Sequence, residues 1–238
     1  SSPFPSSIIS SSIFGAKESQ DKMENVIILG STGSIGRSSL DIIDKLRHRF
    51  RVVGLAAGRN TELLEMQVEK FRPKIVSLGD KDEAEILRKK FKDKSVRVTF
   101  GQEGAEEVAS FAEGEIVVSA ITGISGLRPT LAAVKSGKKV ALANKESMVV
   151  AGGFIQAMAR KCHARIIPVD SEHSGVFQCL AKEKMERVKK VVLTASGGPF
   201  FKTATRAMRQ VTLEEALNHP RWKMGKKVTV DSATLMNK

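Results

Sequence analysis

Apolar and polar positions switch along the chain between blocks with strand-like and helix-like spacing. Val26-Ile27-Ile28-Leu29 is a short apolar run that stops at Gly30, the pattern of a strand buried on both faces of a parallel sheet. Ser34 to Leu46 follows, with Ile35, Leu40, Ile42, Ile43 and Leu46 compatible with an amphipathic helix. Arg51 to Ala57 then predicts a second strand and Thr61 to Phe71 a second helix. Further strands are predicted at Lys74 to Leu78, Ser95 to Thr99, Glu115 to Ser119 and Lys139 to Ala143, with helices near 82–93, 102–112 and 127–136. Repeated strand–helix–strand units predict an α/β fold, a doubly wound Rossmann-like parallel sheet.

After Lys145 the pattern changes. A helix over 147–159 leads to a strand over 165–169 that delivers Asp170, and another helix and a strand over 188–194 follow. Then come the glycine-rich loop Ala195 to Pro199, a loop with Trp and Lys over 221–227, and a strand at 228–230. The expected division is a leader at 1–22, a dinucleotide-binding domain at 23–148, and a second α/β domain at 149–238 for substrate. Eight of the first 20 residues are Ser and no acid precedes Glu18, which predicts disorder in the leader. A transit-peptide remnant is also Ser-rich and acid-poor, although the usual Arg enrichment is missing. The expected location is therefore the bacterial cytoplasm, or a plastid or apicoplast if the leader is such a remnant.

An apolar fraction of 41% beside 27% charged residues is enough for a buried core. No stretch reaches the roughly 18 to 20 apolar residues that span a bilayer, so no membrane role is expected. Two cysteines, Cys162 and Cys179, argue against a disulfide scaffold, and Cys179 reads as helix packing. The net charge of +13 sits in short clusters such as Arg47-His48-Arg49 and Arg88-Lys89-Lys90, beside acids and apolar residues. With no Tyr and one Trp the chain lacks the aromatic–basic interleaving of single-strand binders, so no nucleic-acid partner is expected.

Gly30-Ser31-Thr32-Gly33-Ser34-Ile35-Gly36 falls between the first strand and the first helix, where a dinucleotide turn belongs. Its glycines permit a tight turn and close approach of backbone to a pyrophosphate at the helix N-terminus. The spacing is G-x-x-G-x-x-G, so a plain strand-to-helix turn is the alternative. After the second strand stand Gly58-Arg59-Asn60, where an NAD site would place an acid; a guanidinium there suits the 2′-phosphate of NADPH, or is merely solvated. Asp170 and Glu172, two apart at a strand end, suit a hard cation such as Mg²⁺ or Mn²⁺, or else serve as acids at the start of the next helix. Lys145, after Asn144 at a strand end, is a candidate ligand contact. His173 and His219 are candidate acid–base or phosphate groups.

In this order these segments resemble 1-deoxy-D-xylulose-5-phosphate reductoisomerases. The resemblance runs from Val26 to Lys238. It rests on the glycine turn, Ala143-Asn144-Lys145-Glu146-Ser147, Pro168-Val169-Asp170-Ser171-Glu172-His173, Ser196-Gly197-Gly198-Pro199-Phe200, His219 to Lys227, and Val230 to Lys238. It implies NADPH across the glycine turn, with Gly58, Arg59 and Asn60 at the 2′-phosphate and Ala120 to Gly123, Asn144, Glu146 and Gly225 nearby. It implies Asp170 and Glu172 as two of three metal ligands. Lys145, Ser171, Glu172, Ser196, His219, Ser232, Asn237 and Lys238 would bind a small sugar phosphate. Lys145, Asp170, Glu172, His173 and Trp222 would form the catalytic set, with Trp222 and Met224 on a flap over the ligand. The implied reaction isomerises 1-deoxy-D-xylulose 5-phosphate and reduces the product with NADPH, in a homodimer. The family pattern continues past the last Asn-Lys with Gly-Leu-Glu, whose Glu is the third ligand. The chain stops at Lys238, so an NADPH-binding fragment without turnover is the alternative expectation. A semialdehyde dehydrogenase would need an activated Cys nucleophile, and neither cysteine lies in a recognisable nucleophile loop.

Overall fold

The computed structural model describes residues 22–92, 95–193, 197–223 and 225–234. Apart from Lys22, the serine-rich leader lies outside the described residues. Seven strands form one parallel sheet: β1 (Glu24–Leu29), β2 (Phe50–Ala56), β3 (Ile75–Leu78), β4 (Arg97–Phe100), β5 (Ile116–Ser119), β6 (Lys139–Leu142) and β7 (Arg165–Pro168). Their order is β4-β3-β2-β1-β5-β6-β7, so the chain winds outward from β1 in one direction, then returns to its other side. That reversal between β1 and β5 is the switch point where open α/β sheets bind ligands.

Successive side chains of a strand point to opposite faces, and β1 shows the result. Val26 and Ile28 join a core with α1 (Ser34–Lys45), α2 (Thr61–Phe71) and α3 (Lys81–Lys90), through Leu40, Ile43, Leu64, Val68, Ala84 and Leu87. Ile27 and Leu29 join a second core with α4 (Gly101–Ser110), α5 (Leu127–Lys135) and α6 (Lys145–Lys161), through Val108, Ala133, Val134, Ile155 and Ala159. The near-continuous apolar runs of the sequence are thus strands covered on both sides. Among the described residues of this unit, Lys138 is a buried charged side chain. Lys138 is 6% exposed, and its Nζ donates to the Phe111 carbonyl at 2.7 Å and to the Gly114 carbonyl. Burial pushes its ammonium below the ordinary lysine value.

The pattern break near 148 falls inside α6, and the sheet takes one more strand after it, so this compact unit continues to Asp170. α6 bends at Ala151 (φ −137°, ψ 25°), where Gly152 and Gly153 follow and weaken helix continuity.

Residues from Ser171 form a second unit with α7 (Ser171–Leu180), α8 (Leu213–Leu217), α9 (Lys226–Thr234) and short 3-10 turns at Met185–Arg187 and Thr205–Gln210. Two strand expectations fail here. Residues 188–193 form no strand; their apolar run finds no neighbouring strand among the described residues of this unit. Val228 to Val230 lies within α9, where the Thr229 N–H donates to the Gly225 carbonyl at 3.0 Å. Two alternating valines imitate strand period over a stretch too short for period to decide.

Candidate cofactor and substrate site

The glycine turn is built by contacts that only glycine tolerates. Gly30 has φ +84°, and a Cβ on it would stand 2.7 Å from the Ala120 carbonyl oxygen. A Cβ on Gly36 would stand 2.2 Å from the Gly30 carbonyl oxygen, which fixes how closely α1 leaves the turn. The N–H groups of Gly30 and Ser31 both donate to the Ala56 carbonyl, at 2.8 and 2.9 Å, and Gly33 N–H closes the turn on Gly30 at 3.0 Å. Gly33, Ser34 and Ile35 are exposed, whereas Ser31 is buried and Thr32 half-buried. At the start of α1, Gly33 supplies no side-chain cap and the first turn holds no acid. The positive helix end is thereby open to an anion.

The neighbouring loop leaves β2 as Gly58-Arg59-Asn60, all three exposed. Gly58 is held by its carbonyl, which accepts from Gly79 N–H at 2.9 Å. Asn60 caps α2, its Oδ1 accepting from Leu63 N–H at 3.0 Å. Arg59 is thus presented between a pinned glycine and a capped helix.

Across the switch point, Asn144 works inside the protein. Its Oδ1 accepts from Ser147 N–H at 2.8 Å as the cap of α6. Its Nδ2 donates to the carbonyls of Ile121 and, at 2.7 Å, Gly123. Asn144 therefore shapes the loop after Ala120, which joins β1 through an N–H bond to Leu29. Gly126 makes room for that amide: a Cβ there would meet it at 2.6 Å.

Next along the sheet edge, Lys145 Nζ lies 3.2 Å from Asp170 Oδ2, with side chains only 12% and 18% exposed. The carboxylate is thus matched to positive charge inside a largely dry setting. Glu146 is half-buried in the first turn of α6.

In the second unit, Ser171 and His173 are exposed and Glu172 is half-buried in the first turn of α7, the place a helix dipole favours for an acid. His219 is 8% exposed and lies parallel to the Trp222 ring, centroids 5.2 Å apart. Its Nδ1 accepts from the N–H groups of Arg221 and Trp222, at 3.2 and 3.0 Å, which assigns the imidazole proton to Nε2. Gly225 precedes α9, and Ser232 within α9 is buried. Ser196, Met224, Asn237 and Lys238 lie outside the described residues.

Sequence reasoning passed over Gln67. It sits on the buried face of α2 with Leu64 and Val68, and its Nε2 donates to the Ser31 carbonyl at 3.0 Å. A polar residue at a core position of a helical pattern was the available signal. Among the described residues, no group of three His, Cys, Asp or Glu side chains stands close enough to hold a metal.

Comparison with known proteins identifies the family. The family model for 1-deoxy-D-xylulose 5-phosphate reductoisomerase matches residues 26–152, and that for the C-terminal domain of the same enzyme matches 166–238. The reductoisomerase of Chlorobium chlorochromatii is 50% identical over 216 residues, covering 91% of this chain and 56% of the relative. A Thermoanaerobacter relative of the same name is 49% identical with equal coverage. The solved reductoisomerase of Zymomonas mobilis in complex with NADPH matches at TM-score 0.82 and 38% identity, over 91% of this chain and 55% of that one. A DOX-P reductoisomerase in complex with NADPH, fosmidomycin and magnesium matches at TM-score 0.80 and 38% identity, over 90% and 55%. The chain spans just over half the length of these relatives, and with more than half of its own residues matched by the first family model it belongs to the 1-deoxy-D-xylulose 5-phosphate reductoisomerase family.

Proposed function

We propose that this chain supplies the cofactor site and part of the substrate site of an enzyme that isomerises 1-deoxy-D-xylulose 5-phosphate and reduces the product to 2-C-methyl-D-erythritol 4-phosphate with NADPH. One observation carries the proposal. The glycine turn, Arg59, Lys145 and Asp170 follow the carboxyl ends of β1, β2, β6 and β7 of a single parallel sheet, the edge where such sheets bind ligands. Relatives solved with NADPH and magnesium support the same assignment.

The residues suit a phosphorylated dinucleotide. Side chains at Gly30 and Gly36 would fill the space the turn needs, and α1 begins without an acid. Arg59 would hold the 2′-phosphate, and the loop after Ala120, shaped by Asn144, would hold the nicotinamide ribose. For the metal, Asp170 and Glu172 are hard oxygen donors that suit Mg²⁺ or Mn²⁺. When bound, NADPH supplies the hydride and the divalent ion polarises the substrate carbonyl. Lys145 places its ammonium where negative charge develops beside Asp170, and Ser171 hydrogen-bonds substrate hydroxyls. His219, its Nδ1 engaged by the backbone, offers Nε2–H to the substrate phosphate together with Ser232. Trp222, 56% exposed, has the free face that a closing flap needs to exclude water.

A chain that binds NADPH without turnover is the second reading, because the chain spans just over half the length of the relatives it matches. The test is Mg²⁺-dependent oxidation of NADPH by 1-deoxy-D-xylulose 5-phosphate, assayed on this chain and on a protein of the relatives' full length. In the longer protein Asp170→Asn is expected to lower turnover by on the order of 10²-fold or more, with NADPH affinity near normal. Undiminished turnover in that variant would return Asp170 to a structural role.

A further inference from the structure

Gln67 occupies a core position of α2 and is 5% exposed. An aliphatic side chain there would bury apolar surface without the cost of desolvating an amide. Among the described residues, neither its Oε1 nor the buried Ser31 Oγ has a hydrogen-bond partner. A half-satisfied buried amide is a poor device for stability alone. What it achieves is the bond from Nε2 to the Ser31 carbonyl, at 3.0 Å and 36 residues away in sequence.

Ser31 is the second residue of the glycine turn. Its N–H is held by the Ala56 carbonyl at the end of β2, and its carbonyl is held by α2. The loop Gly58-Arg59-Asn60 joins that same strand to that same helix. Both tethers of the turn therefore lead to the two elements that present Arg59. Resting on the assignment of NADPH to this edge, we propose that Gln67 is a positioning residue for cofactor selectivity. It fixes the distance between the diphosphate cradle and the guanidinium, so that one NADPH meets both at once. NADH has no 2′-phosphate, draws on the cradle alone and is little affected by that distance.

The test is calorimetric titration of NADPH and of NADH into the unaltered chain and into Gln67→Met, a side chain of similar length without the donor. The NADPH Kd is expected to rise roughly tenfold, the upper end for one hydrogen bond, while the NADH Kd rises less than about threefold. An unchanged NADPH Kd, or equal losses for both cofactors, overturns the proposal. If the unaltered chain fails to bind NADPH, the cofactor assignment and the proposal fall together; if it binds and the ratio does not move, only the proposal falls. Should Gln67→Met lose its fold by circular dichroism, the unaltered chain carries the test. Saturating 2′-AMP, which has the 2′-phosphate but no diphosphate, is expected to slow amide exchange from Thr32 to Gly36, and unchanged exchange there overturns the coupling.

Discussion

The two units of the chain use opposite means to hold their shape. From Val26 to Ala159 the sheet unit buries apolar side chains on both faces, with Ile27, Ile28, Leu29, Leu55 and Leu64 fully enclosed. Among the described residues after Ser171 the buried ones are Gly198, His219, Thr229 and Ser232, while Val192, Phe201, Leu213 and Trp222 stand more than half exposed. Local hydrogen bonds shape this second region: the Thr212–Glu215 capping box, the His219 Nδ1 acceptor and the Gly225 carbonyl at the start of α9. The comparison teaches that the cofactor edge rests on a finished core. The described segments after Ser171 instead leave apolar surface exposed.

Truncating one leucine in each unit tests that contrast most severely. Leu64→Ala, in a side chain with no exposure, should cost about 2–5 kcal/mol in chemical denaturation. Leu213→Ala, at a residue 74% exposed, should stay within about 0.5 kcal/mol. Comparable losses at both sites would mean the second unit has a core of its own. Arg59→Ala comes next in size and probes what the rigid edge is for. NADPH binding should weaken by about 1–3 kcal/mol, the scale of a charge-assisted contact, with NADH nearly unaffected. Equal losses would remove Arg59 from the 2′-phosphate.

In the second unit, Thr212→Ala should weaken α8 by about 1 kcal/mol, because the hydroxyl accepts from Glu215 N–H at 3.2 Å. Hydrogen exchange at Glu215 and Ala216 reads this directly, and no acceleration would show that contacts other than the cap hold α8. The smallest effect concerns the edge of the sheet unit. Glu115 is held below its ordinary value of 4.5, first by the hydrogen bond from Lys22 at 2.6 Å and then by Asn25 N–H at 3.1 Å. Because the folded value lies below the unfolded one, its contribution is complete above the ordinary value and is lost as pH falls through the folded value. Glu115→Gln should therefore lower the neutral plateau of a plot of Tm against pH slightly and leave its acid limit unchanged, which flattens the acid side; an unchanged plateau would show that the ionised carboxylate adds no stability.

Much of the sheet was legible in the chain because its strands are short, largely apolar runs between turn residues, and all seven lie within two residues of their expected ends. The glycine turn was legible for a related reason: Gly30 and Gly36 are required by close backbone approach, and sequence records such requirements as glycine. Val188 to Leu193 and Val228 to Val230 misled because β-branched content and alternation describe a suitable strand, and a strand also needs a neighbour. Gln67, Lys138 and the inward commitments of Asn144 were hidden because hydrogen bonds to distant carbonyls leave no periodic trace.

The strand order also sets a timetable. Every fully enclosed residue of the first core lies between Val26 and Phe91, with Val98 close behind, whereas the second core waits for Ala133, Val140, Ile155 and Ala159. On a ribosome, one face of the nascent sheet can therefore close over α1, α2 and α3 while Ile27, Leu29, Val53 and Ile75 on the other still face water. β1 must also keep one edge open until β5 arrives, some 90 residues later in the chain. Over that interval the emerging polypeptide carries an unpaired strand edge and an apolar surface, the two features that make a partly folded chain prone to aggregation.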